Sequence, residues 1–209
     1  MLYYEQQSFP LPGELVPQPI ACVLFDYGNV VSQPQTLEAR RKQADLTGLD
    51  FPDFRRLWGQ YRMSYDQGII DGREYWSRIL AHSRSTVRNG LIDQLILADI
   101  ESWRPIVDWI LDWAMRLRDS GVQTGVLSNM PPELTADTRK MDWIQNFGPL
   151  YFSAEIREIK PYAPIYAHVV RDLPCSASET LFVDDRADNV RGALRATQRA
   201  PLGRAHPGA

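Results

Sequence analysis

The sequence predicts an α/β protein: a Rossmann-like, three-layer parallel sheet core with an inserted all-helical cap. Three observations predict it. Two short charge-free runs, Ile20-Ala21-Cys22-Val23-Leu24-Phe25 and Thr180-Leu181-Phe182-Val183, each end in carboxylate, at Asp26 and at Asp184-Asp185. Strand-like segments alternate with helix-like ones, which implies parallel strands joined by right-handed crossovers. Residues 33–104 interrupt that alternation with an almost unbroken helical pattern.

The elements follow in order. Residues 1–19 hold Pro10, Pro12, Pro17 and Pro19 without periodicity and read as an extended arm. The strand at 20–25 feeds the acidic turn Asp26-Tyr27-Gly28-Asn29-Val30. Helices are expected at 35–47, 52–66 and 71–83, then near 87–102. Asp71 and Glu74 have capping-box spacing, and Tyr75, Ile79 and Leu80 would form that helix's buried stripe. Pro105 stands in the favoured first position of the next helix. Ile106, Ile110, Trp113, Ala114 and Leu117 recur at helical spacing, and Gly121 is a stop signal. Trp109 and Trp113 read as packing residues. A strand at 122–127 leads to Ser128-Asn129-Met130-Pro131-Pro132. A further helix, a short strand at 150–152, Lys160-Pro161, a helix at 163–172, the strand at 180–183 and a helix at 187–197 complete the pattern. Residues 198–209, rich in Pro, Gly and Arg, read as an irregular tail. The division is therefore a core of 20–32 and 105–197 and a cap of 33–104.

The chain has 209 residues, 44% of them hydrophobic, and a formal charge of −3. That suffices for one sizeable core plus a smaller unit. The near-neutral balance gives no reason to expect nucleic acid or an anionic membrane as partner, and Arg40-Arg41-Lys42 and Arg55-Arg56 read as solvated helix faces. No apolar run approaches the ~18 residues of a transmembrane helix. The N-terminus lacks the basic flank and apolar stretch of a signal peptide. Cys22, in a core-type strand, reads as an inert small hydrophobe. A disulfide to Cys175 is not expected, and a reducing cytoplasm is the default compartment.

Two strands that both end in carboxylate suggest one acidic site at the C-terminal edge of a parallel sheet, where open α/β sheets bind ligands. Clustered carboxylates repel unless a cation or protons intervene. A hard divalent ion is the simplest resolution, and Mg²⁺ suits one or two carboxylates plus a phosphate.

Four segments stand in order: Phe25-Asp26-Tyr27-Gly28-Asn29-Val30, Val126-Leu127-Ser128-Asn129, Lys160-Pro161, and Phe182-Val183-Asp184-Asp185-Arg186-Ala187-Asp188-Asn189-Val190. Together they resemble the haloacid dehalogenase superfamily with a C1-type helical cap inserted after the first motif. The likeness extends to its bacterial sugar-phosphate phosphatases with an Asp-x-Gly-Asn-Val first motif, of the glucose-1-phosphate phosphatase kind, and covers residues 20–197. The resemblance implies that Asp26 is a nucleophile forming an aspartyl-phosphate. Ser128, with Asn129, would hydrogen-bond the phosphate. Lys160 would neutralise charge between Asp26 and the transferring phosphoryl group. Mg²⁺ would be held by Asp26, the backbone carbonyl of Gly28 and Asp185. Asp184 would orient Lys160 or a water on the metal, and Asp188 or Asn189 would hold another water. Taken alone, a Ser-Asn after a strand is a turn or cap, and a Lys before Pro is a solvated surface residue. Asp188 and Asn189 serve equally well as first-turn residues of a helix.

The implied activity is a Mg²⁺-dependent phosphatase of small phosphomonoesters, sugar phosphates favoured, acting as a monomer or weak homodimer. A 2-haloacid dehalogenase needs no metal and generally lacks the paired acids, so Asp184-Asp185 argue against that alternative. Two departures keep a non-catalytic binding or regulatory role open. Gly28 stands where the family's phosphatases usually carry a second Asp as general acid, a contribution of ~10²–10⁴ in rate. A glycine there also fits a backbone conformation that excludes a side chain. Substrates with good leaving groups, aryl or sugar 1-phosphates, would suffer least. The second departure is the tail at 198–209, where the family normally adds an edge strand. Tyr65, Asp66, Arg73, Glu74, Tyr75 and Trp76 are candidate cap residues facing substrate, with Asp66 and Glu74 as candidate proton donors.

Overall fold

Every side chain of β1 (Cys22–Phe25) is buried, as a charge-free run covered on both faces must be. The structure, a computed structural model, describes residues 19–83 and 89–199. The expected arm, apart from its last residue, and the tail from residue 200 lie outside the described residues. β1 pairs in parallel with β2 (Gln123–Ser128) on one side and β4 (Thr180–Val183) on the other. β3 (Leu150–Phe152) flanks β2, so the order is β3-β2-β1-β4. The chain steps outward from β1 to β3, then crosses back to the far side of β1. That reversal opens a crevice beyond the C-terminal ends of β1 and β4. Phe25 is in register with Val183 and with Val126. Asp26 and Asp184 therefore leave adjacent strands at the same level.

Alternate residues of the strands feed opposite layers. Val23 and Phe25 pack with Ile110, Trp113 and Leu117 of α5 (Asp108–Asp119). The Phe25 and Trp113 rings meet edge to face, with centroids 5.3 Å apart. Cys22 and Leu24 pack with Ile165, Tyr166 and Val169 of α8 (Ala163–Asp172). Full burial of such side chains is worth about 1.5–3 kcal/mol each. Both cysteines are free, and burial, reinforced by Cys175, pushes the Cys22 thiol up to about 12.

The helical insertion has a core of its own. Its helices are α1 (Leu37–Thr47), α2 (Phe51–Asp66), α3 (Gly72–Leu80) and α4 (Leu91–Trp103). Phe54, Leu57, Tyr65, Tyr75, Trp76, Ile79 and Leu95 fill its centre. Thr36, Asp50 and Asp71 act as N-caps, accepting from the backbone N–H of Ala39, Asp53 and Glu74. The capping box at Asp71 is only half made, because the Glu74 carboxylate pairs with Arg78 at 2.5 Å. Tyr75, Ile79 and Leu80 are buried as expected.

Pro105 does not open a helix. Its carbonyl accepts from Gln33 N–H, Ile106 bridges antiparallel to Ser32, and Val107 N–H donates to the Val31 carbonyl. The outgoing and returning strands of the insertion are zipped together there, and α5 starts only at Asp108. Trp113 is buried, but Trp109 is 43% exposed rather than packed into the core. β2 begins and ends one residue later than expected, making Ser128 its last residue. β3, α8 and β4 have the expected bounds, and α9 (Ala187–Arg199) outruns its expected end. Among the described residues β4 is an edge strand, half-buried along its length.

The insertion sits on α6 (Pro132–Thr138) and α7 (Ser153–Ile156). The Ser153 hydroxyl donates to the Asp66 carbonyl and accepts from Met130 N–H at 2.8 Å. Gly72 N–H donates to Glu133 at 2.8 Å, and the Gln67 amide to the Arg157 carbonyl at 2.8 Å. Gly68 has φ +68°, and a Cβ there would lie 2.7 Å from the Ala154 carbonyl oxygen. Conformation and clearance both demand glycine. The end of α2 is thus tied to the loop that follows β2. No helix among the described residues is long and apolar enough to cross a membrane.

Arg62 bridges Asp66 at 2.7 Å and Asp99 at 3.0 Å, with all three side chains largely buried. Burial pushes the Asp66 carboxyl up to about 7; Arg62 opposes the rise, and Asp99 and Asp26 add to it. Between the ordinary Asp value of ~4 and the raised one, the native state binds the extra proton. Stability contributed by this group is therefore complete below pH ~4 and lost as pH rises toward 7. Asp66→Asn, which can still accept from Arg62, should flatten the fall in urea-unfolding free energy between pH 4.5 and 7.5. An unchanged slope would remove Asp66 as its source.

Candidate active site

Four chain segments converge at the C-terminal edge of the sheet. Asp26 follows β1, Ser128 ends β2, Lys160 lies between α7 and α8, and Asp184-Asp185 follow β4. The Lys160 ammonium has three donors and three acceptors. It reaches Asp26 Oδ1 at 2.9 Å, Asp184 Oδ2 at 2.7 Å and the Leu127 carbonyl at 2.8 Å. Its side chain is 0% exposed, so full satisfaction is what makes its burial tolerable. The Phe182 ring lies 5.3 Å from the same nitrogen.

Asp26 Oδ1 also accepts from Tyr27 N–H at 2.7 Å, and the Ser128 side chain favours the ionised carboxylate. Burial raises the Asp26 carboxyl above the usual range, Lys160 pulls it down and Asp184 pushes it up again. Both oxygens of Asp184 accept from the Asn189 amide at 3.0 Å. One of them also takes Arg186 N–H at 2.8 Å, and the other takes Lys160. Asp185 is exposed and is held by the Asn29 amide at 2.9 Å. Asn29 adopts the left-handed conformation, φ 60°, which Asn tolerates better than most residues. One oxygen from each of Asp26, Asp184 and Asp185 lies within 4.8 Å of the others.

Other expected site residues fall elsewhere. The Asn129 amide is committed to Lys160, donating to its carbonyl and accepting from its N–H, both at 2.9 Å. It holds the lysine loop instead of pointing at Asp26. Asp188 lies outside the carboxylate trio: it is exposed and pairs with Arg191 at 2.7 Å, which lowers its carboxyl. Tyr65, Tyr75 and Trp76 belong to the core of the insertion. Arg73 pairs with Asp93, and Glu74 with Arg78, at the surface. Of the six candidate cap residues, Asp66 is the one whose charge couples to Asp26.

Gly28 has φ −64° and ψ 125°, a conformation any residue adopts. Backbone freedom is therefore not what calls for glycine here, and a Cβ would find only ordinary van der Waals contact. A Cβ at this position would lie 3.4 Å from the six-membered ring of Trp103. Sequence reasoning missed Trp103, Asn29 and Ser153. Asn29 carried a faint signal, since Asn after Gly suits a turn residue with positive φ. The other two act across the seam between insertion and core and carried none.

Residues 20–197 match the family model for haloacid dehalogenase-like hydrolases. The chain belongs to the haloacid dehalogenase-like hydrolase family. A sesquiterpene phosphatase of Aspergillus oryzae is 33% identical over 75 residues, covering 35% of this chain and 38% of that protein. The chain thus spans well under half of that relative's length. Among solved structures, a family enzyme from Bacteroides thetaiotaomicron in complex with magnesium and inorganic phosphate aligns with a TM-score of 0.71 and 22% identity, covering 85% of this chain and 91% of that one. The L-2-haloacid dehalogenase of Xanthobacter autotrophicus, with chloropropionic acid covalently bound, aligns at 0.59 and 20% identity, covering 85% of this hydrolase and 75% of that chain. At these identities the likeness shows the fold. A fold common to both leaves the chemistry to the side chains.

Lys160→Met keeps the bulk of the lysine's buried stem but leaves Asp26 and Asp184 facing each other. Removing one partner of a buried ion pair typically costs about 3–5 kcal/mol. Urea unfolding at pH 7 should show a loss of that order, and a loss below about 1 kcal/mol would mean the carboxylates do not depend on this ammonium.

Proposed function

We propose that this hydrolase is a Mg²⁺-dependent phosphatase of small phosphomonoesters that works through an aspartyl-phosphate on Asp26. The observation that carries the reading is the convergence of three carboxylates within 4.8 Å beside a buried lysine. A dehalogenase has no use for such a trio. The phosphatase relative and the magnesium and phosphate complex of the structural neighbour support the same reading.

The donor set fits a hard divalent ion. Asp184 is saturated with hydrogen bonds, whereas Asp185 is exposed and its Asn29 contact engages a single oxygen. Asp26 and Asp185 would hold the metal, with the Gly28 carbonyl, and Asp184 would stand behind them. When bound, Mg²⁺ screens the repulsion between carboxylate and phosphate and draws charge from the transferring phosphoryl group.

The chain's own residues supply the rest. An Asp26 oxygen attacks phosphorus as the bond to the ester oxygen breaks, and the leaving alkoxide takes up a proton. Water then attacks the aspartyl-phosphate and releases inorganic phosphate. Ser128 and the Lys160 ammonium face the reacting oxygens and offset their growing charge. Lys160 also favours the ionised form of Asp26, opposing its burial. The helical insertion acts as a cap that excludes water from the crevice, and Asp66 is its candidate for supplying the proton that Gly28 cannot.

Hydrolysis of p-nitrophenyl phosphate should require Mg²⁺ and stop on chelation. Asp26→Asn should fold normally and lose essentially all turnover, because an amide cannot form the acyl-phosphate. Mg²⁺ should raise the melting temperature of the wild type but not of Asp185→Ala. Chelator-resistant release of chloride from 2-chloropropionate, with no phosphate release, would replace this reading with a dehalogenase.

A further inference from the structure

We propose that Trp103 sets the leaving-group preference of this site, selecting phosphomonoesters whose organic group is apolar over those of polyols. The inference rests on the reading of Asp26 as the phosphoryl acceptor. Gly28 lies two residues beyond that carboxylate. A Cβ on it would point at Cζ3 and Cη2 of Trp103, 3.4 and 3.7 Å away. The indole edge therefore stands beside the nucleophile loop, within van der Waals reach of position 28.

The ring is held there. Tyr27, next to the nucleophile, donates its hydroxyl to the Trp103 carbonyl at 2.6 Å and stacks on Trp143 at 5.8 Å. The neighbouring Arg104 forks onto Asp137 at 2.8 and 3.1 Å. The zipped strands at Gln33–Pro105 and Val31–Val107 fix the chain just after it. Trp103 remains only partly buried, so a substrate seated over the Asp26 loop meets its open surface. Glycine and an indole edge present a wall without hydrogen-bond partners for hydroxyls. A polyol placed against it leaves hydroxyls unpaired, whereas a flat or unsaturated hydrocarbon gains contact and sheds water.

The test compares kcat/KM for 1-naphthyl phosphate, dimethylallyl phosphate and glucose 1-phosphate with Mg²⁺, in the wild type, Trp103→Phe and Trp103→Ala. Each apolar ester should exceed glucose 1-phosphate by roughly 10–100-fold, the range a hydrophobic pocket provides. Trp103→Ala should cut the two apolar esters by a similar factor, mainly through KM, with glucose 1-phosphate changed less than about threefold. Trp103→Phe should retain most of the preference, and inorganic phosphate should inhibit all three proteins alike. Glucose 1-phosphate as the best substrate, or an equal loss on every ester in both variants, would overturn the proposal while leaving the phosphatase reading intact. Absence of hydrolysis of any ester by the wild type would instead remove that reading, and this inference with it.

Discussion

The structure of this site depends on one buried ammonium. Asp26 and Asp184 leave neighbouring parallel strands at the same level, and parallel strands lie about 4.8 Å apart. Two carboxylates at that spacing, away from water, repel strongly. Lys160 answers the repulsion with one acceptor from each of three strand ends: Asp26 after β1, the Leu127 carbonyl in β2 and Asp184 after β4. The Asn129 amide fixes the lysine backbone, and Asn189 covers the remaining capacity of Asp184. Desolvating these charges is costly, and satisfied geometry is what offsets the cost. Three carboxylates face one ammonium, a formal excess of two acidic groups. That excess is the electrostatic case for a divalent cation on the exposed side, where Asp185 stands.

The insertion is coupled to this centre through short polar links. Ser153 joins Met130, two residues past Ser128, to the end of α2 at Asp66. Glu133 and Arg157 receive the following turn. These contacts place a carboxylate with a raised pKa, Asp66, within electrostatic reach of Asp26. On the other flank Trp103 closes against Gly28. A Cβ at position 28 would meet the indole edge in van der Waals contact, at 3.4 Å.

How much of this was legible in advance depended on the range of the interactions. Charge-free strands ending in acid, and their parallel order, follow from local composition and alternation, so β1, β3, β4 and α8 were readable. The convergence of Asp26 with the Asp184-Asp185 pair followed from strands presenting their C-terminal ends together, whereas Ser128 and Lys160 were expected there through the family resemblance. Pro105 misled because proline suits both a first helical turn and an extended strand. Pairing of Ile106 with Ser32, far away in sequence, decided for the strand. Tyr75 was legible as part of a buried helical stripe, whereas Trp76 was legible as helical but not as facing the insertion's own core.

The sequence by itself determined the strands, the carboxylates at their ends and the presence of a large helical insertion, because each is written in short-range pattern. Only the tertiary structure decided that Asn129 serves the lysine loop and that Asp188 faces solvent. It alone decided that Asn29 carries Asp185 and that Trp103 covers Gly28. Those are choices among partners distant along the chain. They are settled by register, burial and clearance, which no local window of residues contains.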